Sequence, residues 1–295
     1  MTMLRGGGRS IPRAMIAAAM ENVDLHCHSR ASDGLLTPGE VVLRAHDHGV
    51  TTLALTDHDE TDGLEEAADA AQDLQLRFIP GVEISVTWHE STIHIVGLGI
   101  ARGDVPLTQG LQAVRAERPR RAAMMAAGLE AVGIAGSLEG AMTHVSNPAL
   151  ISRTHFARFL IGQGHARDMK DVFKNYLVPG KPGYVPHQWA DLGDAVKWIC
   201  GSGGIAVLAH PGRYALSRPD LRGLLAEFTD HGGQGIEVVT SNHSPEQCAV
   251  FAALAREFGM LASRGSDFHG PKESRIELGA LPPLPDGLKP VWQVL

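Results

Sequence analysis

Histidine and carboxylate side chains follow strand-like segments along this chain, and these are residue types that bind metal ions. His26 and His28 come directly after the apolar segment that contains Val23 and Leu25. Residues two apart in a strand face the same side, so both imidazoles can bind one ion. Asp267 and His269 have the same spacing. Imidazole and carboxylate are ligands of zinc, manganese and iron, so the spacing predicts a metal centre.

Four further ligand candidates follow other predicted strands: His58, Glu83, His94 and His210. A single buried histidine is more often a hydrogen-bonded core residue than a ligand. The recurrence at strand ends, in an order compatible with one barrel, nevertheless favours a metal site. A carboxylate such as Glu83 can bridge two cations, and bound metal lowers the pKa of water towards neutrality. The pattern therefore indicates hydrolytic chemistry at several ions.

Seven short apolar runs rich in β-branched residues predict the elements that position these candidates. We expect buried parallel strands at 22–26, 51–56, 77–83, 92–99, 204–209, 235–240 and 260–264. Helical patterns separate most of them, and Thr37, Pro38 and Glu40 have the spacing of a capped helix start. The alternation predicts an α/β fold with a closed, distorted seven-stranded (β/α)7 barrel, whose carboxyl-terminal strand ends meet at one face.

Strand signals are absent between residues 100 and 190, where the sequence predicts helices over 107–132, 152–163 and 168–176. About eighty residues are too many for an ordinary loop, so we expect an inserted helical subdomain. The predicted organisation is a disordered extension over 1–19, the first part of the barrel over 20–100, a substrate-binding insertion over 101–190 and the second part of the barrel over 191–295.

Composition narrows the setting in which the chain works. A net charge of −7 gives no overall attraction to nucleic acid or acidic membranes. No apolar stretch approaches the roughly 20 residues of a membrane span. The cysteines Cys27, Cys200 and Cys248 are widely spaced and imply no disulfide framework, which favours a cytoplasmic location. No stable protein partner is implied.

Six motifs, taken in order, resemble those of the PHP (polymerase and histidinol phosphatase) family. They are Asp24-Leu25-His26-Cys27-His28-Ser29, Thr56-Asp57-His58, Gly81-Val82-Glu83, His94-Ile95-Val96-Gly97, Ala209-His210-Pro211 and Gly265-Ser266-Asp267-Phe268-His269. The resemblance implies a distorted seven-stranded barrel with two or three divalent ions, manganese foremost and zinc or iron as alternatives. It also implies three ligand sets: His26, His28, Glu83 and Asp267; Glu83, His94 and His210; and Asp33, His58 and His269.

Asp33 departs from the commonest pattern of the family, in which this position is histidine. A carboxylate still binds metal, but it adds negative charge and would retune the third ion site. Together with the helical insertion, Asp33-Gly34 resembles the branch that contains a 3′,5′-nucleoside bisphosphate phosphatase and a 5′-to-3′ exoribonuclease. The resemblance implies hydrolysis of the 3′-phosphate of a nucleoside 3′,5′-bisphosphate. Exonuclease action on short 5′-phosphorylated RNA, histidinol-phosphate hydrolysis, amide hydrolysis and a non-catalytic module remain alternatives.

The predicted insertion contains candidates for binding a second phosphate. Arg118 lies in the densest run of arginines, and arginine suits bidentate phosphate binding, although charged helix faces are often only solvated. A helix start near Ser152 and Arg153 would offer free backbone N–H groups. Two family-like segments, 151–158 and 179–185, add His155 and Lys181. We therefore expect a small nucleotide substrate with two phosphates, one at the metals and one at the insertion.

Overall fold

Seven strands pair in chain order in the computed structural model, which describes residues 21–295. They are β1 (Val23–Asp24), β2 (Thr52–Leu55), β3 (Arg77–Trp88), β4 (Ser91–Leu98), β5 (Ile205–Leu208), β6 (Gly235–Thr240) and β7 (Leu261–Gly265). The amide of Leu25 donates to the carbonyl of Arg264 at 3.0 Å, so the first and last strands meet and nearly close a barrel. The α/β barrel prediction is confirmed, whereas the predicted extension over 1–19 lies outside the described residues.

The direction of β4 differs from the prediction that every strand is parallel. β4 pairs antiparallel with both β3 and β5, while the other neighbours are parallel. Parallel neighbours need a crossover of a dozen or more residues, and here only His89 and Glu90 join β3 to β4. Consequently Glu83 and His94 lie within a long hairpin, and placing them at the carboxyl ends of strands was wrong.

Ten helices lie between and around the strands in the described part of the chain. Their bounds are α1 (Pro38–Asp47), α2 (Leu64–Asp73), α3 (Val105–Ala116), α4 (Arg118–Glu130), α5 (Ser137–Met142), α6 (Arg153–Gly162), α7 (Met169–Val172), α8 (Leu192–Gly201), α9 (Arg218–Asp230) and α10 (Pro245–Glu257). Helix α1 begins with the predicted capping box at Thr37. The single helical stretch predicted from residue 107 to 132 is two helices that part at Glu117, just before Pro119. No helix among residues 21–295 has the length and apolar character needed to cross a bilayer.

Apolar side chains form separate cores in the barrel and between residues 101 and 190. Inside the barrel, Val23, Leu25 and Val207 pack with Trp292 from the end of the chain. The helices from α4 onwards in 101–190 build a core of their own, whose members include Met125, Leu129, Phe156, Leu160, Val172 and Leu177. Helix α3 instead packs Leu107, Leu111 and Val114 into the core shared with the barrel. The division into barrel and insertion at residues 100 and 190 remains a prediction, and the term insertion is used below for residues 101–190.

Candidate active site

Glu83 lies at the centre of the predicted ligands. Its two carboxylate oxygens contact imidazole nitrogens of five histidines: His94 at 2.7 Å, His210 at 2.9 Å, His58 at 3.0 Å, and His26 and His28 at 3.2 Å each. The Glu83 side chain is fully buried. The hairpin of β3 and β4 explains part of this convergence, because it sets His94 opposite Ser85, two residues beyond Glu83.

Two further carboxylates complete the group, which we call the ligand cluster: His26, His28, Asp33, His58, Glu83, His94, His210, Asp267 and His269. Asp267 Oδ1 lies 3.3 Å from His28 Nε2 and 3.6 Å from His269 Nδ1. Asp33 Oδ1 lies 3.4 Å from His269 Nε2 and 4.0 Å from His58 Nε2. All the predicted ligand candidates are therefore brought together.

Donor atoms in the ligand cluster fall into four sets, and within each set they lie within 4.8 Å of one another. The sets are His28, Asp33, His58 and His269; His26, Glu83 and His210; His26, His28 and Asp267; and His58, Glu83 and His94. The expected grouping of Asp33, His58 and His269 recurs with His28 added. Glu83 is shared between two sets, as expected of a bridging carboxylate, but His94 is grouped with His58 rather than with His210.

The donor atoms fit divalent cations. Several are buried and have no hydrogen-bond partner: His26 Nε2, both ring nitrogens of His28, Asp33 Oδ1, His58 Nδ1, Glu83 Oε2 and His210 Nδ1. Leaving a buried polar atom without a partner costs free energy, so such a concentration of donor atoms indicates a site that binds cations. Mixed imidazole and carboxylate donors are suited to zinc, manganese or iron.

Electrostatics keep the carboxylates of the ligand cluster ionised. Burial alone would raise their pKa values, but positive neighbours outweigh it. The imidazoles of His58 and His26 hold the pKa of Glu83 well below its usual range. The guanidinium of Arg213, 2.6 Å from Asp267 Oδ2, does the same for Asp267. The imidazoles of His58 and His269 likewise lower the pKa of Asp33, so three buried carboxylates stay negative at neutral pH, which favours cation binding.

The histidines of the ligand cluster differ in their protonation. Burial and the nearby charge of Arg213 lower the pKa of His210 to about 4, which leaves the neutral imidazole that binds metal. Burial opposes protonation of His28 as well, but the adjacent carboxylates of Asp267 and Glu83 outweigh it and raise its pKa to about 10. A cation entering this position must replace that proton, so binding releases protons.

A cavity of about 290 Å³ opens above the ligand cluster and is walled by the insertion. Of the predicted substrate-binding residues, Arg118, Ser152 and Arg153 line it. Arg121, from the same run of arginines as Arg118, also lines it. So do Phe173, Trp189, Arg213 and Tyr214, which have no distinguishing signal in the sequence. The ligand-cluster members Asp33, His58, His94, His210 and His269 form its base.

Four arginines line the cavity, and two of them lack an acidic partner. Arg118 pairs with Asp59 and Arg213 with Asp267. For Arg121 and Arg153, no carboxylate of residues 21–295 lies within the ion-pair distance of 4.0 Å. Burial, followed by the like charges of Arg153 and Arg118, lowers the pKa of Arg121 to about 9. An anion in the cavity would relieve this repulsion, which indicates a second anionic group on the ligand.

His155 and Lys181 do not line the cavity. His155 is buried, and its Nδ1 accepts a hydrogen bond from the backbone N–H of Ser152 at 3.0 Å, which closes a capping box. Lys181 is exposed on a turn. The backbone N–H of Ser152 is therefore already used, in contrast to the expectation of free N–H groups at this helix start. The structure brings neither His155 nor Lys181 to the cavity.

Comparison with known proteins agrees with this arrangement. The family model described as PHP domain matches residues 24–241. The chain belongs to the PHP family. It is 52% identical to the 3′,5′-nucleoside bisphosphate phosphatase of Chromobacterium violaceum, over 94% of this chain and 97% of that protein. It is 46% identical to the 5′-3′ exoribonuclease Rnm of Escherichia coli, over 92% of each chain.

A solved structure agrees with the PHP fold as well. A Chromobacterium violaceum protein described as an amidohydrolase with bound sulfate and no metal superposes with a TM-score of 0.91 at 52% identity. The match covers 92% of this chain and 95% of that one. The seven-stranded architecture is thus shared with an experimental structure.

The PHP ligand cluster has a supporting carboxylate that sequence analysis missed. Glu237, on β6, accepts a hydrogen bond from His26 Nδ1 at 2.8 Å and another from the backbone amide of His210 at 2.5 Å. It thereby directs His26 Nε2 towards Glu83 and fixes the turn at His210. A carboxylate behind a ligating histidine is common in metal sites, and the acidic residue inside the apolar run of β6 was a signal for it.

Strained backbone marks the same edge of the PHP barrel. Asp59, His210 and Asp267 have positive φ values of 51°, 26° and 55°. Such conformations cost free energy in residues other than glycine and concentrate at functional sites. Gly265 precedes this edge on β7, where an added Cβ would lie 2.2 Å from His26 Cβ. Glycine is therefore needed for β7 to approach His26.

Proposed function

We propose that this chain is a metal-dependent phosphoesterase that hydrolyses the 3′-phosphate of nucleoside 3′,5′-bisphosphates. The observation that carries the proposal is the two-sided cavity: the ligand cluster forms its base, and the acid-free arginines Arg121 and Arg153 line its insertion side. A substrate with one phosphate at each side satisfies both. The 52% identity to a 3′,5′-nucleoside bisphosphate phosphatase over almost the whole chain supports the same substrate.

Two or three divalent ions bind at the ligand cluster, manganese foremost and zinc or iron as alternatives. His26, His28 and Asp267 would hold one ion, and Asp33, His58 and His269 would hold another. Glu83 would hold a further ion with His94 and His210, which both contact its Oε1. When bound, such ions neutralise phosphoryl oxygens and lower the pKa of water. The unpartnered buried donor atoms support this assignment.

Side chains of the cavity orient the substrate for hydrolysis. Arg121 and Arg153 bind the 5′-phosphate, which anchors the nucleoside so that its 3′-phosphate meets the ligand cluster. Water adds to phosphorus, the bond from phosphorus to the 3′ oxygen breaks, and the products are a nucleoside 5′-monophosphate and phosphate. Arg213, which is 44% exposed and lines the cavity beside Asp267, stabilises charge on the phosphoryl oxygens.

Exonuclease action is a second candidate because it breaks the same bond. In a short 5′-phosphorylated RNA the 3′-phosphate is a diester, and cleavage at the 3′ oxygen again releases a nucleoside 5′-monophosphate. Identities of 46% and 47% to two exoribonucleases named Rnm favour this alternative. The net charge of −7 disfavours tight binding of long nucleic acid, since phosphate contacts dominate such affinity.

Histidinol phosphate suits the cavity less well. Its ammonium group needs an acidic partner, but Asp33 is the carboxylate among the lining residues and it belongs to the ligand cluster. Four arginines line the same cavity and repel a cation. We place the enzyme in the cytoplasm, which the free cysteines support.

A substrate panel tests the proposal. Manganese-loaded protein is assayed with adenosine 3′,5′-bisphosphate, adenosine 3′-monophosphate, a 5′-phosphorylated oligoribonucleotide and histidinol phosphate. Phosphate and AMP release are followed. We expect the highest kcat/KM for the bisphosphate, with equimolar AMP and phosphate, and a large loss for the 3′-monophosphate, which lacks the second phosphate.

Other outcomes would contradict the proposal in distinct ways. A higher kcat/KM for the oligoribonucleotide would make exonuclease action the main function. Preference for histidinol phosphate, or equal use of both adenosine substrates, would show that the arginines do not select a second phosphate. Release of ammonia from amides without any phosphate release would identify an amidohydrolase.

A further inference from the structure

Asp33 is held in place by a residue of the insertion. The hydroxyl of Ser152 donates a hydrogen bond to Asp33 Oδ2 at 3.0 Å. The other oxygen, Oδ1, is buried without a hydrogen-bond partner and lies 3.4 Å from His269 Nε2. One carboxylate oxygen is thus fixed by helix α6, and the other is turned towards the donor set of Asp33, His58 and His269.

Arg158, one helical turn beyond His155, contacts the chain on both sides of this donor set. Its Nη2 donates to the carbonyl of Asp33 at 2.6 Å, and its guanidinium binds both carboxylate oxygens of Glu273 at 2.9 and 2.8 Å. Glu273 lies four residues after His269. The buried guanidinium therefore joins the Asp33 loop to the segment that carries His269.

The loop of Asp33 depends on such outside support because it is not part of a strand. It folds back on itself at Gly34, where a Cβ would lie 2.5 Å from the carbonyl oxygen of His28. Asp57 fixes the beginning of the loop through Ser29 and Ser32. The Asp33 side chain itself receives its hydrogen bond from Ser152.

The polar groups of Ser152 are occupied within the protein. Its hydroxyl accepts from the backbone amide of Thr154 and donates to Asp33, while its own amide donates to His155. These contacts leave the side chain little capacity to bind a phosphate, although it borders the cavity.

We propose that helix α6 is part of the third cation site, with Ser152 and Arg158 as positioning residues for Asp33. The inference rests on the proposed metal-dependent function. In this assignment Ser152 orients a ligand of the third cation and does not bind the nucleotide. The substrate-binding insertion then helps to determine how fully the third cation site is occupied. Loss of a residue that orients a metal ligand typically weakens metal affinity by about 10- to 100-fold.

Manganese titration of metal-free protein, without nucleotide, tests this assignment. Bound and free Mn²⁺ are counted by electron paramagnetic resonance for the wild type, Ser152→Ala, Ser152→Thr and Arg158→Gln. We expect three Mn²⁺ in the wild type. The changes Ser152→Ala and Arg158→Gln should each lower the affinity for the third Mn²⁺ at least about tenfold. The affinities for the first two ions should stay unchanged. Ser152→Thr, which keeps the hydroxyl and the helix cap, should restore the third ion.

Ser244→Ala is the matched control, because Ser244 also closes a capping box at a helix start, that of α10, and has no contact with Asp33. It should bind three ions as the wild type does, and circular dichroism confirms folding of every variant. A third ion of wild-type affinity in Ser152→Ala and Arg158→Gln would overturn the inference. So would a wild type that binds only two ions, even if it hydrolyses the bisphosphate. Failure to hydrolyse any phosphate ester, with intact metal binding, would instead overturn the proposed function.

Discussion

The barrel and the insertion meet at one cavity but are built on different chemical constraints. The ligand cluster consists of imidazoles and carboxylates whose buried donor atoms converge on Glu83. The insertion side contributes arginines. Among the described residues, Arg121 and Arg153 have no carboxylate within ion-pair distance, which leaves their charges available to an anionic ligand. Metal ligands are limited to a few residue types, whereas arginines on helices are common. Sequence therefore identifies the first region far better than the second.

The largest expected effect comes from removing the charge at the centre of the ligand cluster. Glu83→Gln keeps the side-chain size and the pairing of β3 with β4 but cannot bridge cations between five histidines. We expect loss of at least one bound metal ion and a fall in kcat of about 10³-fold or more, since each transition-state stabilising group can contribute 10²- to 10³-fold. Metal content and kcat measure this.

Glu90→Gln provides the control for that change. Glu90 lies at the exposed tip of the same hairpin and is the same residue type. It should retain wild-type metal content and turnover. If Glu83→Gln kept its full metal content and more than a tenth of the activity, the ligand cluster would not be the reacting centre, and the contrast between the two regions would fail.

A smaller and substrate-dependent effect is expected from the insertion. Arg121→Ala removes a buried guanidinium that lines the cavity without an ion pair. We expect KM for adenosine 3′,5′-bisphosphate to rise about 10- to 100-fold, since a hydrogen bond to a charged group contributes roughly 1.5 to 3 kcal/mol. Adenosine 3′-monophosphate, which lacks the 5′-phosphate, should be hydrolysed at an unchanged kcat/KM. Steady-state kinetics with both substrates checks the prediction.

Arg120→Ala separates this effect from a general loss of positive charge. Arg120 is the neighbouring residue on helix α4, but it is 78% exposed and pairs with Glu117. Its removal should leave both substrates unaffected. Equal losses for the two substrates in Arg121→Ala would indicate disturbed folding of the insertion rather than a phosphate site.

The positions of strands and helices were easier to predict from the sequence than the direction in which neighbouring strands pair. The apolar runs located all seven strands, and the spacing of Thr37, Pro38 and Glu40 located a capped helix. An apolar run locates a strand but does not show whether the strand is parallel to its neighbours. The reversed direction of β4 could have been inferred only from the short connection after β3. The break between α3 and α4 was marked in sequence by Pro119 and was nevertheless read as continuous helix.

The metal ligands of the site could be predicted because their residue types alone indicate metal binding. All proposed ligands converge, including Asp33, which lies in a loop rather than after a strand. Glu237 was missed because it lies inside strand β6 and not at a strand end, although an acidic residue in an apolar run was itself a signal. Ser152 and His155 were located in the right segment, but the sequence could not tell whether their polar groups face the cavity or each other. Such choices depend on side-chain orientation, which only the folded chain determines.

The smallest effect separates a structural histidine of the insertion from the histidines of the ligand cluster. Burial lowers the pKa of His155 to about 4, from an ordinary value of 6.5. The native state therefore disfavours the proton, while the unfolded chain binds it as the pH falls below 6.5. The free energy of unfolding is therefore unaffected by this histidine above pH 6.5 and falls between pH 6.5 and 4, by at most about 3 kcal/mol.

His155→Gln should remove this pH dependence, because glutamine does not titrate. It should also preserve the helix start, because glutamine is a usual partner in a capping box and can accept a hydrogen bond from the backbone N–H of Ser152. Urea unfolding from pH 8 to 4.5 should show similar stability above pH 7 and a wild-type protein that loses about 2 kcal/mol more than the variant by pH 4.5. KM for the bisphosphate should not change, since His155 does not line the cavity. A raised KM with parallel pH profiles would instead make His155 a substrate-binding residue, and the cavity would then extend behind helix α6.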